Sequence, residues 1–115
     1  MKTAIVHHSI YQKHETGPGH PETPERYRTV IEALKNDEPL WNSITEITPE
    51  KAAQGVVQAA HTKEHFKRVE NAVANGLDRL DSDTVISMAS FDAALYAAGG
   101  AITAVDAIMQ GEADN

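Results

Sequence analysis

The sequence predicts an α/β domain that is rich in helices and contains two or so short parallel strands in an incomplete sheet. Two apolar runs of strand length stand among several segments whose apolar residues recur with helical spacing. The apolar faces of the helices need a layer of sheet to cover them, and two short strands are too few to cover them all, so the sheet is incomplete. A chain of 115 residues fits one domain, which we assign to residues 1–115.

The two predicted strands are residues 3–7 and residues 44–47. The first is a continuous apolar run, which is typical of a strand buried on both faces in a parallel sheet. The second alternates apolar and polar residues. Residues 84–87 are interpreted either as a brief extended segment or as a buried loop.

The first helix is predicted to begin at Pro24, because Thr23 supplies a capping hydroxyl and proline fits the first helical position. The sequence Thr48-Pro49-Glu50 repeats this start signal and predicts a second helix from that point. The apolar residues predicted to face inward from the first helix are Tyr27, Val30, Ile31 and Leu34.

Two further helices are predicted, one from Thr62 to Asn75-Gly76 with Phe66 inward, and one capped by Ser90. The last helix should end at Gly111, before a polar stub. A glycine within a helix costs about 1 kcal/mol relative to alanine, so Gly99-Gly100 indicates that another backbone comes close there. The predicted buried stripe of this helix comprises Phe91, Leu95, Ala98, Ile102, Val105 and Met109.

The charge balance argues against several classes of function. Ten Lys and Arg residues stand against 17 Asp and Glu residues, a net charge of -7, so we expect no nucleic-acid partner. There is no cysteine for a disulfide or a thiolate metal site. The N-terminus lacks the apolar core of a signal peptide, and Asp106 interrupts the long apolar run before it reaches the roughly 20 residues of a membrane span. We expect a cytoplasmic protein without membrane association.

Six histidines invite a search for a metal site. His61-Thr62-Lys63-Glu64-His65 matches the H-x-x-E-H pattern of inverted zinc peptidases, but Thr62 reads as a helix cap that would leave His61 outside the helix. His7 and His8 end a strand side by side, so their side chains should point to opposite faces and cannot share one ion. We therefore predict no metal ligand in this chain and favour structural roles for these histidines.

A loop precedes the first helix in the stretch H-E-T-G-P-G-H-P-E-T-P-E-R, which begins at His14. Its glycines and prolines exclude regular structure. Arg26 lies in the first helical turn, where the helix dipole disfavours a cation, so it is either a plain surface residue or a guanidinium bound to loop carbonyls. His14 and His20 flank the loop and either line a site or bond to its carbonyls.

Together with three later segments, this loop resembles the histone deacetylase family, in particular its bacterial class II-like members and the acetylpolyamine amidohydrolases. The later segments are A-H-T-K-E-H-F at 60–66, D-S-D-T at 81–84 and A-A-L-Y-A-A-G-G-A at 93–101. The resemblance implies the N-terminal part of an arginase-deacetylase fold, in which a parallel sheet lies between two helix layers. It also implies zinc-assisted hydrolysis of acetyl-lysine or acetylated polyamines.

The resemblance also implies roles for particular residues. Arg26 matches an arginine of the internal channel behind the metal, which is associated with acetate release, and His20 and Pro21 belong to the site wall. Asp83, or alternatively Asp81, matches a rim aspartate that grips the main chain of the substrate. The zinc ligands and the transition-state group of the family fall in motifs that this sequence lacks. We therefore assign this chain no catalytic residue and no cofactor, although the full-length family uses zinc.

Two hypotheses follow from these observations. In the first, the chain is the N-terminal portion of a zinc-dependent deacetylase-like amidohydrolase, inactive by itself, and its partner is the missing C-terminal portion of the domain. In the second, it is a stand-alone interaction module derived from that family, which forms a homo-oligomer through its unfinished sheet and apolar helix faces.

Overall fold

The computed structural model describes residues 1–115 and contains two strands and five α-helices. A 3-10 turn, Ser9–Lys13, and the loop after it connect the first strand to the first helix. The predicted α/β class, with many helices and an incomplete sheet, is confirmed. In chain order the elements are β1 (Thr3–Val6), α1 (Pro24–Asn36), α2 (Glu38–Trp41), β2 (Ile44–Ile47), α3 (Gln54–Val57), α4 (Lys63–Ala74) and α5 (Ser90–Met109).

The sheet consists of β1 and β2, which pair in parallel with Thr3 opposite Ile44 and Val6 opposite Ile47. Both predicted strands are therefore confirmed. The expectation that the first strand is buried on both faces is wrong, because every residue of β1 is only half-buried. β1 has a full partner strand on one edge alone, so its other edge is not covered by a strand of the sheet.

The ends of α1 and α4 follow local chemistry. Thr23 and Thr62 cap them, and each hydroxyl accepts a hydrogen bond from a backbone amide of the first turn. Gly76 and Gly111 follow the ends of α4 and α5 with φ of +70° and +74°. The amide after each glycine bonds to the carbonyl five residues back, at 3.0 and 2.8 Å, which is the Schellman arrangement. These four boundaries confirm the sequence prediction.

The second helix predicted from Thr48-Pro49-Glu50 is wrong, because α3 begins only at Gln54 and spans a single turn. Residues 48–53 form no regular element and cross α5. The amide of Ala52 donates to the carbonyl of Leu95 at 3.0 Å, so this backbone bonds to α5 instead of to a helix of its own. The predicted start signal is overridden by this tertiary contact.

The glycine pair of α5 permits this crossing. A Cβ added to Gly99 would lie 1.8 Å from the carbonyl oxygen of Glu50 and 2.9 Å from the amide nitrogen of Ala52. At Gly100 it would lie 3.0 Å from the hydroxyl of Tyr11. The prediction that another backbone comes close at this pair is confirmed.

The predicted buried stripe of α5 is wrong: Phe91 and Leu95 are only half-buried, and Ala98 is exposed. Ile102, Val105 and Met109 are 38, 59 and 80 % exposed. The close approach at the glycine pair turns the small residues inward and leaves the large apolar ones outside. α5 is also long and apolar enough to cross a membrane. This is weak evidence for a membrane span, because it rests on the length and composition of a single helix. The residues that α5 buries are Ser90, Ala93, Gly99, Gly100 and Ala107.

The core is small, since 12 of 115 residues are buried. Phe66 of α4 is buried as predicted and packs edge-on against Phe91 of α5, with ring centroids 5.3 Å apart. On α1, Tyr27 is half-buried, whereas Val30 is 58 % exposed. α1 therefore buries only part of its predicted apolar face.

The last residues are not the free polar stub that the sequence predicts. Ala113 is buried, and the amide of Asp114 donates to the carbonyl of Lys2 at 2.8 Å. The amide of Ala4 in turn donates to the carbonyl of Asn115 at 2.8 Å. The open edge of β1 provides the unpaired donors and acceptors that order this segment.

We predict that Gly99→Ala lowers the free energy of unfolding by roughly 1–3 kcal/mol, because the new methyl group overlaps the backbone of the segment that crosses α5. Gly55→Ala is the matched control, since no atom lies within 4 Å of its added Cβ. Alanine in place of this α3 glycine should leave stability unchanged or raise it by up to about 1 kcal/mol. Urea unfolding of both variants measures the difference, and equal midpoints would contradict the close crossing.

Candidate functional site

The loop between the 3-10 turn and α1 is closed by its own side chains. Gly17 and Gly19 adopt φ of +81° and +78°, which sets its two sharp reversals. The buried hydroxyl of Thr16 donates to the carbonyl of Glu22. The amide of Glu22 donates to Nδ1 of His20 at 3.1 Å. The loop therefore has a defined shape up to the start of α1.

The first residues of this loop are fixed to the start of α5. Nδ1 of His14 lies 2.7 Å from the hydroxyl of Ser90, which also accepts the amide of Ser87 at 2.7 Å. The amide of Glu15 donates to the hydroxyl of Ser87 at 3.0 Å. Ser90 is therefore not the predicted helix cap. Ala89 takes that position without a side-chain bond, and the Ser90 hydroxyl instead joins the loop to the helix.

A cavity of about 360 Å³ lies between the loop, α1 and α5. Arg26 and His14 line it, so two of the residues singled out from the sequence come together here. His20 and Pro21 do not line this cavity. The carbonyl of Glu22 is bound by a threonine hydroxyl, and the exposed Arg26 side chain faces the cavity. The remaining polar lining is supplied by Tyr11, Glu22, Thr23, Tyr27 and Ser90.

Two tyrosines form part of the cavity wall: Tyr27 is one of the residues predicted to face inward from the first helix, whereas nothing in the sequence indicates Tyr11. Burial raises the pKa of Tyr11, and the pKa of Tyr27 is raised first by burial and then by the nearby Tyr11. Both phenols therefore stay neutral and can donate hydrogen bonds. The hydroxyl of Tyr11 donates to the carbonyl of Tyr96 at 3.0 Å. This contact joins residues 85 positions apart, so no local sequence pattern predicts it.

The histidine pair after β1 has structural partners. Nδ1 of His7 lies 2.9 Å from the hydroxyl of Tyr27, and its Nε2 lies 2.9 Å from the carboxylate of Glu46. His7 thus links β1, α1 and β2. His8 accepts the amide of Ile10 at 3.0 Å and stacks on Tyr96, with ring centroids 4.4 Å apart. The two rings meet different neighbours, as their adjacent positions predict.

The two rim aspartates differ in what binds them. The carboxylate of Asp81 accepts the amides of Asp83 and Thr84 at 3.0 and 2.8 Å and the Thr84 hydroxyl at 3.1 Å. The backbone bond from Asp83, followed by the two bonds from Thr84, lowers the pKa of Asp81. The exposed carboxylate of Asp83 has no part in these bonds. The turn therefore engages Asp81 and leaves Asp83 accessible.

The histidines at the start of α4 do not form a peptidase site. The rings of His61 and His65 stack at the surface with centroids 5.2 Å apart, and the Thr62 cap places His61 outside α4 as predicted. Within residues 1–115, no group of three or more His, Asp or Glu side chains is arranged to hold a metal ion.

Known proteins resemble this chain in sequence. The family model of the histone deacetylase domain, which describes the sequence pattern of the family, matches residues 20–115 of this chain. A probable deacetylase of Archaeoglobus fulgidus is 39% identical over 117 aligned residues, which cover 100% of this chain and 32% of the relative. An uncharacterized protein of Synechocystis sp. is 28% identical over 109 residues, or 92% of this chain and 36% of that protein.

A solved structure gives the same result at the level of the fold. The crystal structure of the HDA15 HD domain matches this chain with a TM-score of 0.88 at 25% sequence identity. The match covers 100% of this chain and 34% of that structure. The chain therefore spans about a third of the length of the relatives that it matches.

We predict that Ser90→Ala lowers the free energy of unfolding by roughly 1–3 kcal/mol, because it leaves the amide of Ser87 and the ring of His14 without their shared partner. Ser82→Ala, at an exposed position in the aspartate turn, is the control and should change stability little. Thermal unfolding of both variants measures the difference. A Ser90 variant as stable as the control would show that this bond does not hold the loop.

We also predict that Asp81 contributes a pH-dependent part of the stability. Its pKa in the folded protein lies below the ordinary value of 3.8, so its contribution is present above that pH and is lost as the pH falls through the folded pKa. Asp81→Asn should flatten the acid limb of the stability curve, whereas Asp83→Asn should leave it unchanged. Urea midpoints between pH 2 and pH 6 measure the effect, and identical curves for the two variants would refute it.

Proposed function

This chain belongs to the histone deacetylase family, and we propose that it forms the N-terminal portion of a zinc-dependent amide hydrolase of the acetyl-lysine or acetylpolyamine class. One observation carries the proposal: α1, which lies in the region matched by the family model, holds Arg26 against a cavity of about 360 Å³. Because the chain spans a third of its relatives, the activity proposed is that of the longer domain.

Arg26 is proposed to bind a small carboxylate in this cavity. A guanidinium stays charged at all relevant pH values and binds carboxylates through paired, charge-assisted hydrogen bonds. Tyr11 and Tyr27 line the same cavity as neutral phenols, so they bring no negative charge that would repel an anion. Acetate, the carboxylate product of deacetylation, fits this chemistry.

Asp83 is proposed to hold the main chain of the substrate at the rim. Its accessible carboxylate can accept hydrogen bonds from peptide or amine N–H groups, while Asp81 keeps the turn in shape. Zinc bound by the rest of the domain would polarise the amide carbonyl and activate a water molecule. The residues of this chain contribute binding and positioning only.

The isolated chain is proposed to be inactive, because residues 1–115 offer no cluster of three metal-binding side chains. We expect the purified chain to release no acetate above the buffer rate from an acetyl-lysine peptide or from acetylspermidine, with or without added zinc. A quantitative acetate assay measures this rate. Turnover that survives repurification would overturn the proposal.

A chimera tests whether this chain supports acetate release as part of a longer domain. In it, this chain replaces the 117 aligned residues of the Archaeoglobus fulgidus relative. We expect a folded zinc protein that releases acetate, and Arg26→Ala should lower kcat at least tenfold. Arg28→Ala is the matched control, since this exposed arginine on the same helix pairs with Glu25 and Glu32. Equal effects of the two variants, or a chimera that does not fold or turn over, would contradict the assignment.

The second candidate, a homo-oligomeric module, is favoured by the exposed apolar surface of α5. Val105, Ile108 and Met109 are 59, 45 and 80 % exposed at helical spacings of three and four, and exposed apolar residues that lie together can mark an interaction surface. Under this hypothesis sedimentation of the native chain shows a dimer or larger species that Val105→Glu dissociates. A stable monomer across the concentration range would exclude it.

A further inference from the structure

His7 lies beside the candidate site, where it contacts three other elements. Nδ1 of its ring lies 2.9 Å from the hydroxyl of Tyr27 on α1, and Nε2 lies 2.9 Å from the carboxylate of Glu46 on β2. Trp41 of α2 stands edge-on to the ring with centroids 6.2 Å apart, and Lys35 lies over the Trp41 ring at 5.0 Å. Within residues 1–115, Glu46 is therefore the ionised group that bonds to this imidazole, whose side chain is only 17 % exposed.

These neighbours determine which nitrogen of the neutral ring carries the hydrogen. An ionised carboxylate only accepts hydrogen bonds, so the hydrogen must lie on Nε2, facing Glu46. Nδ1 is then an acceptor, and it needs a donor from the phenol. Burial, followed by the nearby Tyr11, raises the pKa of Tyr27, so this phenol keeps its proton. Tyr27 therefore donates its hydroxyl hydrogen to the neutral ring of His7.

A proton taken up from solvent by His7 reverses this hydrogen bond. Both nitrogens of an imidazolium ring are donors, so Nδ1 then donates to the oxygen of Tyr27. The hydroxyl hydrogen of Tyr27 must turn to another acceptor, and within residues 1–115 this hydroxyl has no hydrogen-bond partner other than His7. Tyr27 lines the site cavity of about 360 Å³. An anion in that cavity is an acceptor for the released donor.

We propose that the protonation state of His7 controls whether Tyr27 donates a hydrogen bond to a carboxylate in the site cavity. When His7 is neutral, the phenol is engaged and the carboxylate binds to Arg26 without it. When His7 is charged, Tyr27 adds a second donor. The affinity for a carboxylate therefore rises as the pH falls through the range between 5 and 8, where histidine ordinarily changes charge.

In this arrangement His7 is a positioning residue, because it acts through Tyr27 and does not line the cavity. The proposal rests on the carboxylate site proposed above for Arg26. It adds a pH-dependent control of that site, which would hold a carboxylate more tightly in acid and release it more readily near pH 8.

A second histidine in the cavity wall decides how the experiment must be designed. His14 lines the same cavity, with Nδ1 2.7 Å from the hydroxyl of Ser90, and its charge would also attract an anion. Glu22 is the one carboxylate of the lining. Neither residue is hydrogen-bonded to His7 or Tyr27 through its side chain, so the contribution of each persists when the His7–Tyr27 bond is removed. A comparison between variants therefore isolates the effect of His7.

Binding of sodium acetate to the full chain at pH 6.0 and at pH 8.0 tests the proposal. Both values lie above the range in which simple carboxylates titrate, so acetate stays charged. The dissociation constant is measured from NMR shifts of backbone amides in α1. We expect the ratio of Kd at pH 8.0 to Kd at pH 6.0 to be at least threefold larger in the unchanged chain than in Tyr27→Phe. This variant keeps the ring that packs edge-on against Tyr11.

Two further variants complete the comparison. His7→Gln should lower the ratio as much as Tyr27→Phe does, because an amide does not change charge in this pH range. Tyr96→Phe is the matched control, since Tyr96 lies outside the cavity lining, and it should keep the ratio of the unchanged chain. Nitrogen-15 shifts of the His7 ring at pH 8.0 give a measurement that does not depend on acetate, and they should show the hydrogen on Nε2.

Each other outcome counts against the proposal. A neutral His7 ring with its hydrogen on Nδ1 would overturn the assigned direction of the bond. Equal ratios in the unchanged chain and in Tyr27→Phe would assign the pH dependence to His14 or another group, while the carboxylate site itself would stand. If acetate bound at neither pH, the carboxylate site would be refuted and its control by His7 with it.

Discussion

The crossing of the segment at residues 48–53 over α5 is the contact on which the rest of the structure depends. At Gly99 the carbonyl of Glu50 occupies the space that a side chain would need, and the amide of Ala52 bonds to the helix. Lys51 adds an exposed ion pair to Asp92 at 2.8 Å, which contributes little by comparison. Because this segment directly follows β2, the crossing fixes the sheet against one particular face of α5.

The candidate site is a consequence of the same placement. Once the glycine face of α5 points to the sheet, the first turn of the helix lies beside the loop that precedes α1. Ser90 then reaches His14, and Tyr11 reaches the carbonyl of Tyr96. These two bonds hold the loop and the 3-10 turn against α5, and Arg26 lines the cavity between them. The site therefore depends on a helix that supplies only serine and alanine side chains to its lining.

The sequence predicts those features whose cause is local. Thr23 and Thr62 mark helix starts, because a capping hydroxyl bonds within its own turn. The same signal fails at Thr48, where a bond from Ala52 to Leu95 prevails. Hydropathy predicts the wrong buried face of α5. It assigns the largest apolar residues to the core, whereas the close approach of another backbone requires the smallest residues on the buried face.

The same distinction applies to the candidate site. Arg26 and His20 stand out because they belong to a short recognisable stretch, and Asp83 because it follows in the same family pattern. Ser90 and Tyr11 do not, since their partners lie 76 and 85 residues away. A second cavity of about 450 Å³, between β1 and α5, shares a wall with the site cavity, because Tyr11 and Ala97 line both. The residues that identify the family therefore take their positions from contacts that no local pattern contains: Ser90 and Tyr11 fix the loop and the 3-10 turn, and Arg26 lies against the cavity that results.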